Sequence, residues 1–324
     1  MRRYGDKGLA QLLDLRTQGL NARDLFKTVK GLGQSWRLLG EIKPDIIFTR
    51  GGYISVPVAI AAKLRHIDYI THDSDSTPSL ANRIIAPMAK INAVALSPDT
   101  YPYDASKTVQ VGVPISAEFK PIDSKDRERL KTELKLEAYP KLLFVTGGGN
   151  GAANMNKVVM DNVPHLLKVH KDLYIVHVAG RDLAKDLSTE YDKILGKDER
   201  KRISVEGFVS DLYRYSGAAD VIISRGGATN LSEFAAQGKA CVIIPSPSLA
   251  WNVKNAHVLA KEHAIIYLSE DQAEQELRLA SVVDRLLDDQ KSREELSNKL
   301  AQYFVPDSAK KIAELIIRQV RKSE

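Results

Sequence analysis

The most informative part of this sequence is DVIISRGGATNLSEFAAQG, at residues 220–238. The β-branched run VII predicts a short buried strand, and the following R-G-G ends it. Thr229 or Asn230 then caps a predicted helix whose first turn contains Glu233. Such a junction leaves backbone N–H groups free to bind a phosphate, and Glu233 can accept hydrogen bonds from ribose hydroxyls. The alternative is an ordinary strand–helix turn with a capping glutamate.

The composition predicts a soluble α/β protein with more than one core. At 324 residues the chain is long for a single core, which indicates two domains. Hydrophobic residues make up 44% of the chain and charged residues 27%, as in globular proteins. No apolar run reaches the length of a membrane span, and the N-terminus has no signal-peptide core. The single cysteine, Cys241, lies in the apolar run ACVII and is interpreted as a buried strand residue.

The net charge and the cysteine content limit the possible binding partners and the cellular compartment. A net charge of +6 permits attraction to anionic lipid or polyphosphate, but the sequence has no nucleic-acid-binding signature. It also has no disulfide framework and no Cys/His metal cluster, which favours a reducing cytoplasm.

Short strands alternate with helices in two series, and this predicts two parallel sheets. The first series contains PDIIFTRGG, DYITHDSD, NAVALS and KTVQVG; the second contains KLLFVT, YIVHVAG, RISVEGF, DVIIS, ACVIIP and AIIYLS. Residues 113–124 hold two prolines and are interpreted as a linker. We therefore predict two Rossmann-like domains facing a cleft, at 1–119 and 120–306, with a C-terminal helix at 307–324 that packs back on the first. Ligands of such sheets lie beyond the carboxyl ends of the strands.

The N-terminal segment is basic and amphipathic. Residues 1–43 carry nine Lys/Arg against four Asp/Glu, and apolar residues recur at helical spacing at Leu25, Val29, Leu32, Trp36 and Leu39. One interpretation is a helix that faces the core and has a solvated outer face. The other is a surface that lies on anionic lipid.

A glycine-rich turn follows KLLFVT at residues 147–152, and its sequence GGGNGA fits the dinucleotide pattern G-x-G-x-x-A. That pattern requires an acid about 20 residues further on. Here the acid at the end of the next strand, Asp182, comes too late. We therefore interpret these glycines as allowing the backbone to come close to a ligand in the cleft, rather than as part of a nicotinamide site.

Several segments, in one order, resemble the MurG family of peptidoglycan N-acetylglucosaminyltransferases, which have the two-domain GT-B fold. They are KPDIIFTRGGYISVPVAIAA, THDSDSTPSLANRIIA, VGVPI, FVTGGGNGAANMN, GFVSDLYRYSGAADVIISRGGATNLSEFAAQGKACVIIP and NAHVLAKEHAI. The likeness covers most of residues 5–320, and its most specific part is 207–245.

The resemblance implies a UDP-GlcNAc site in the C-terminal half. The uracil lies against Phe208 and Val209, the phosphates meet backbone amides, Glu233 holds the ribose, and Trp251 with Asn252 reads the sugar. The remaining donor-side residues that the resemblance implies are Gly148, Gly149, Asn150, Arg225, Gly226, Gly227, Ala228, Thr229 and Asn230. On the acceptor side it implies Gly51, Gly52, Tyr53, His72, Asp73 and Asp75. No metal and no cofactor is expected.

The sequence departs from the family pattern at four places. His72-Asp73-Ser74-Asp75 stands where His-Glu-x-Asn is usual, Gly149 replaces a common serine, and Ser116 stands where arginine is frequent. Asn252 replaces a glutamine and is one methylene shorter. Nucleotide binding is expected to be intact, and the choice of sugar is less constrained.

The family's glycine-rich segment with its histidine base, G-G-T-G-G-H, has no match in this sequence. We therefore expect a truncated N-terminal domain, completed by an upstream segment or by a partner polypeptide. The catalytic base is left unassigned, with His72 as a candidate, and activity of the chain alone is left open.

The sequence thus predicts an inverting, metal-independent transfer of GlcNAc from UDP-GlcNAc to a polyprenyl-linked acceptor. The enzyme would act peripherally on an anionic membrane, at the cytoplasmic face. Two alternatives remain: a non-catalytic or partner-dependent UDP-sugar-binding subunit, and a UDP-GlcNAc epimerase with the same fold.

Overall fold

A computed structural model describes residues 22–148 and 152–321, with side chains from residue 30 onward. Within these ranges the chain forms two sheets, one of four strands and one of six, and every strand pair is parallel. The predicted fold class, two Rossmann-like α/β domains, is confirmed. None of the helices in the described ranges is long and apolar enough to cross a membrane.

The first sheet has its strands side by side in chain order. They are β1 (Ile46–Thr49), β2 (Asp68–Asp73), β3 (Ile91–Val94) and β4 (Thr108–Gln110). Helices α1 (Ala22–Ile42), α2 (Ser55–Leu64) and α3 (Leu80–Ile85) accompany it. Tyr69 is buried against α2 on one face, and the adjacent Ile70 points to the other, as the alternation along a strand requires.

The second sheet has the order β10-β9-β8-β5-β6-β7. Its strands are β5 (Lys141–Thr146), β6 (Leu173–Val178), β7 (Ile203–Glu206), β8 (Val221–Ser224), β9 (Ala240–Ile243) and β10 (Ile266–Tyr267). Its helices are α4 (Ser124–Glu133), α5 (Ala153–Val169), α6 (Ala184–Ile194), α7 (Lys197–Arg200), α8 (Leu212–Ala218), α9 (Ala228–Gln237), α10 (Ala250–Lys261), α11 (Glu270–Ala273), α12 (Arg278–Asp288) and α13 (Gln290–Ala301).

Helices cover both faces of this six-stranded sheet, and its strands are apolar throughout for that reason. Leu143 and Val145 belong to one core cluster, whereas Leu142 and Phe144 belong to the cluster on the opposite face. Cys241 lies in the second cluster with no exposed surface, as the sequence predicted.

The last helix, α14 (Ser308–Val320), returns to the first sheet. Its Ile312 and Leu315 pack with Ile70, Ala93 and Val111 in one cluster. The C-terminal segment therefore covers the sheet face that α2 leaves open, and the two halves are tied together by more than the linker.

The apolar stripe on α1 divides between core and surface. Leu39 is buried and Leu32 is partly buried against the same cluster, whereas Trp36 stays 43% exposed, with the Arg65 guanidinium 4.0 Å from its ring centre. Part of the apolar stripe, Leu32 and Leu39, thus faces the core, as one of the two interpretations predicted. The side chains of Leu25 and Val29 lie outside the described residues.

Candidate functional site

The turn between β8 and α9 leaves several backbone amides unpaired. The helix begins at Ala228 and its N-cap is Gly227, which has extended backbone (φ −73°, ψ 131°) and contributes no side-chain cap. The prediction that Thr229 or Asn230 caps this helix is wrong, because both lie inside its first turn. The first amide to bond back is Leu231, to the Gly227 carbonyl. The N–H groups before it are therefore free to bind an anion.

Gly226 is held in this turn by close packing against α10. A β-carbon at this position would collide with the backbone of Asn252. Glycine is thus needed here for the approach of two backbones rather than for an unusual dihedral angle. As a result, the first turns of α9 and α10 are brought side by side at the carboxyl edge of the sheet.

A cleft of about 790 Å³ lies between the two sheets. The first half contributes the end of β2 and the segment that leads into α3, and the second contributes the N-termini of α9 and α10. The lining residues are Arg50, His72, Asp73, Ser74, Asp75, Thr77, Pro78, Ser79, Leu80, Arg83, Gly227, Ala228, Thr229, Asn230, Ala250, Trp251 and Lys254. The carboxyl ends of both sheets thus open onto one space, as expected for a ligand site in open α/β sheets.

A second cavity, of about 440 Å³, adjoins the cleft and shares Gly227 and Asn230 with it. Its other lining residues are Gly147, Gly148, Ala152, Ala153, Asn154, Arg225, Ser246, Leu249, Asn252 and Glu270. Asn252 is buried here, whereas its neighbour Trp251 is 48% exposed and lines the larger cleft. The two residues of the predicted sugar-reading pair therefore face different spaces.

Glu233 lies one turn after Thr229 on α9, so the two residues share a face of the helix. Burial raises the pKa of its carboxyl group to about 7. Glu233 is not among the lining residues of either cavity. When ionised, its carboxylate can accept hydrogen bonds from hydroxyl groups.

On the acceptor side, two predicted residues are held by internal hydrogen bonds. Asp73 accepts from the Tyr103 hydroxyl at 2.6 Å and from the Asn82 amide at 2.8 Å. His72 is buried, with its Nε2 2.9 Å from the Gly112 carbonyl. Because a carbonyl only accepts, Nε2 carries the hydrogen and Nδ1 of the neutral ring carries the lone pair. Burial lowers the pKa of His72, which keeps the ring neutral.

Some predicted residues do not line either cavity. Tyr53 is 85% exposed, and Gly51 and Gly52 adopt positive φ in the loop before it. Phe208 is half exposed beneath the Arg181 guanidinium, which lies 4.1 Å from its ring centre, and Val209 packs against the core. Gly149 and Asn150 lie outside the described residues.

Other residues at the cleft had no role assigned from the sequence. Three cations, Arg50, Arg83 and Lys254, line it, and none of them forms an ion pair among the described residues. Glu270 in the adjoining cavity could have been found from the sequence, because Ser269 and Gln272 form a capping box that marks a helix start after β10. The described residues contain no group of three or more His, Cys, Asp or Glu that could hold a metal ion.

Two facing parallel sheets, with an unpaired helix N-terminus at the cleft, define a GT-B-type protein of the kind that binds nucleotide sugars. The sequence profile of the glycosyltransferase family 28 C-terminal domain matches residues 142–312, and that of the N-terminal domain matches residues 13–94. The chain belongs to glycosyltransferase family 28.

Individual relatives agree with this assignment. A Caldicellulosiruptor saccharolyticus protein, named UDP-N-acetylglucosamine--N-acetylmuramyl-(pentapeptide) pyrophosphoryl-undecaprenol N-acetylglucosamine transferase, is 31% identical over 312 residues, 95% of this chain and 81% of the relative. The crystal structure of Acinetobacter baumannii MurG superimposes with a TM-score of 0.69 at 23% identity, over 90% of this chain and 80% of that one. The fold is also shared by a Neisseria meningitidis UDP-GlcNAc 2-epimerase bound to UDP-GlcNAc, with a TM-score of 0.63 at 11% identity, over 92% and 82% of the two chains.

Proposed function

We propose that this chain transfers N-acetylglucosamine from UDP-GlcNAc to a polyprenyl-diphosphate-linked MurNAc-pentapeptide acceptor in peptidoglycan synthesis. The relatives that match most of its length carry that activity in their names. The observation that carries the proposal is the unpaired N-terminus of α9, which opens onto a cleft lined by both sheets. The epimerase alternative shares only the fold, and the non-catalytic alternative is not favoured by relatives that are transferases.

The donor would lie along the C-terminal half. Its diphosphate would meet the amides of Ala228, Thr229 and Asn230, where the helix dipole and N–H groups stabilise negative charge without a metal. Its ribose would contact Glu233, and its sugar would lie near the buried Asn252. The uracil would lie against Phe208 and Val209.

The reaction requires one displacement at the anomeric carbon. An acceptor hydroxyl oxygen attacks that carbon from the face opposite the diphosphate, so the new C–O bond forms as the bond to phosphate breaks and the configuration inverts. The hydroxyl proton passes to a base, and the amides at α9 stabilise the charge that develops on the departing diphosphate. His72, which lines the cleft, is the candidate base, since its Nδ1 holds a lone pair, with the Ser74 hydroxyl 3.5 Å away.

We also propose that the chain acts at the cytoplasmic face of an anionic membrane. The end of α1 exposes three large apolar side chains, Trp36, Leu38 and Ile42, to solvent. Exposed apolar groups of this kind, beside basic residues, suit a peripheral contact with a lipid surface. Such binding would place the cleft near a lipid-linked acceptor.

Removing a single amide tests the donor assignment. Ala228 is the first residue of α9, and Gly227 already has the extended backbone that precedes proline, so Ala228→Pro deletes one N–H without strain. We expect the affinity for UDP-GlcNAc, measured by calorimetry, to fall by about tenfold or more, as for a hydrogen bond to a charged group. Ser124→Pro, at the first position of the remote helix α4, is the control. Equal affinity in wild type and Ala228→Pro would remove this turn from the phosphate site.

A further inference from the structure

One side chain of the second half, Asn255, bonds to both halves of the molecule. Its Oδ1 accepts from the Ser76 backbone N–H at 2.8 Å, and its Nδ2 donates to Asp75 Oδ1 at 2.8 Å. The same Nδ2 donates to the Gly226 carbonyl at 3.0 Å, within the turn that precedes α9. We call these four residues the interdomain clasp.

The orientation of the Asn255 amide is fixed by its partners. The Ser76 N–H can only donate, so it must face the amide oxygen. An ionised carboxylate and a backbone carbonyl can only accept, so Asp75 and Gly226 must face the NH₂ group. Both amide hydrogens and the oxygen are therefore used, in a side chain that is only 5% exposed. A buried polar group satisfied in this way holds one geometry, because leaving any partner unpaired is costly.

The clasp joins the two sides of the cleft at the places where substrate would bind. Asp75 and Ser76 follow directly on His72 at the end of β2, and Gly226 precedes the free amides of α9. Gly226 is also packed against the backbone of Asn252, so a shift of α10 would move the turn with it. The Asn255 amide thus links the position of the acceptor-side loop directly to that of the nucleotide turn.

We propose that Asn255 is a positioning residue that, through Asp75 and Ser76, sets the distance between the acceptor-side loop and the donor turn. The proposal rests on the function proposed above, because that distance matters when a hydroxyl on one side attacks a sugar held on the other. A misplacement of about 1 Å costs as much as 10²-fold in rate. In this proposal the clasp acts by position, without contacting the reacting atoms.

Four variants separate positioning from chemistry. Asp75→Ala and Asn255→Ala each break the bond between the halves, and we expect each to lower kcat at least tenfold while the affinity for UDP-GlcNAc stays within threefold. The double variant should fall no further than either single one, because the two residues act as one unit. Asp75→Asn keeps an acceptor oxygen for Asn255 and should lower kcat less than Asp75→Ala does.

Two kinetic results would overturn the proposal. If Asp75→Asn loses as much activity as Asp75→Ala, the carboxylate acts by its charge or protons rather than through the clasp. If the double variant loses the product of the two single effects, the residues act independently. Asn298→Asp, an exposed asparagine in the same half, controls for a general effect of substitution.

A distance measurement tests, independently of catalysis, whether the clasp holds the two halves at a fixed separation. Spin labels on cysteines introduced at the exposed Lys63 on α2 and Lys168 on α5 report the separation of the halves, and buried Cys241 is left unlabelled. We expect double electron–electron resonance to give a narrow distribution of label-to-label distances in wild type and a broader one in Asn255→Ala. An unchanged distribution would overturn the clasp. If wild type transfers no sugar, the proposed function fails, and this measurement alone then tests whether Asn255 holds the two halves in position.

Discussion

Arg225 and Glu270 form a buried ion pair at the wall of the donor-side cavity, with Nη1 and Oε1 2.6 Å apart. Their side chains are only 12% and 10% exposed. Arg225 also donates to the Ile244 carbonyl, and Glu270 also accepts from the Asn154 amide at the start of α5. This pair therefore ties the nucleotide turn to α5, the helix that follows the glycine-rich loop.

Breaking this pair should destabilise the second half. Glu270→Ala leaves the part-buried Arg225 charge without its carboxylate partner, which costs about 1–3 kcal/mol. We expect a lower midpoint in urea denaturation followed by circular dichroism. Glu274→Ala, at an exposed glutamate just after α11, is the matched control and should leave the midpoint unchanged. A midpoint equal to wild type in Glu270→Ala would show that the pair is dispensable.

Local features of the site were predictable from the sequence. A β-branched run, two glycines and a helix-forming segment occupy adjacent positions, so the turn at 224–228 follows from short-range rules. The cap was predicted wrongly because those rules favour Thr and Asn side chains, whereas here Gly227 occupies the N-cap and leaves the amides free.

The parts that depend on distant contacts were not predictable. Asn255 and Asp75 are 180 residues apart in sequence, and nothing in either segment indicates the other. The cations Arg50 and Lys254 likewise come from different halves and line one cleft only because the sheets face each other. The two sheets could be predicted from their repeated strands, but the geometry between them could not.

Binding of the donor should depend on pH through Glu233. Because its pKa is about 7, the carboxyl group is largely protonated at pH 6 and largely ionised at pH 8. If the ionised form accepts the ribose hydroxyls, affinity for UDP-GlcNAc should rise about tenfold over this range. UDP-GlcNAc is the better ligand, since the terminal phosphate of UDP itself titrates near pH 6. Calorimetry at several pH values tests this, and Glu233→Gln should show a flat profile. An equal slope in both proteins would contradict the role of Glu233.

The same group should affect stability with the opposite sign. The folded-state pKa lies above the ordinary value of 4.5, so the folded protein binds more protons than the unfolded chain between these values. The contribution of Glu233 to the free energy of unfolding should therefore fall as pH rises from about 4.5 to about 7. Urea denaturation of the ligand-free protein at several pH values should show that the free energy of unfolding falls less with rising pH in Glu233→Gln than in wild type.

Sugar choice should depend on Asn252. Its side chain is buried in the cavity beside the nucleotide turn, where an amide can bond to a sugar hydroxyl. We expect Asn252→Ala to lower the preference for UDP-GlcNAc over UDP-GalNAc in a competition assay. Trp251→Ala, at the neighbouring exposed residue, shows how far the larger cleft contributes. A preference that survives Asn252→Ala would mean that other residues recognise the sugar.

Membrane binding should be salt-sensitive and should depend on Trp36. Vesicles containing anionic lipid should carry the protein in flotation at low salt and release it as salt shortens the Debye length from about 10 Å at 0.1 M to about 3 Å at 1 M. Trp36→Ala should weaken binding, and Trp251→Ala, which removes a tryptophan of similar exposure at the cleft, should not. Flotation unaffected by salt or by Trp36→Ala would contradict membrane binding through the surface around Trp36.

The proposed transfer reaction is tested most directly by following a labelled sugar. The purified chain is incubated with UDP-GlcNAc labelled in the sugar and with polyprenyl-diphosphate MurNAc-pentapeptide, and the label is measured in the lipid fraction together with released UDP. We expect equal amounts of lipid-bound GlcNAc and UDP, and inversion at the anomeric carbon. Binding of UDP-GlcNAc without transfer, or conversion of the sugar to its 2-epimer, would contradict it.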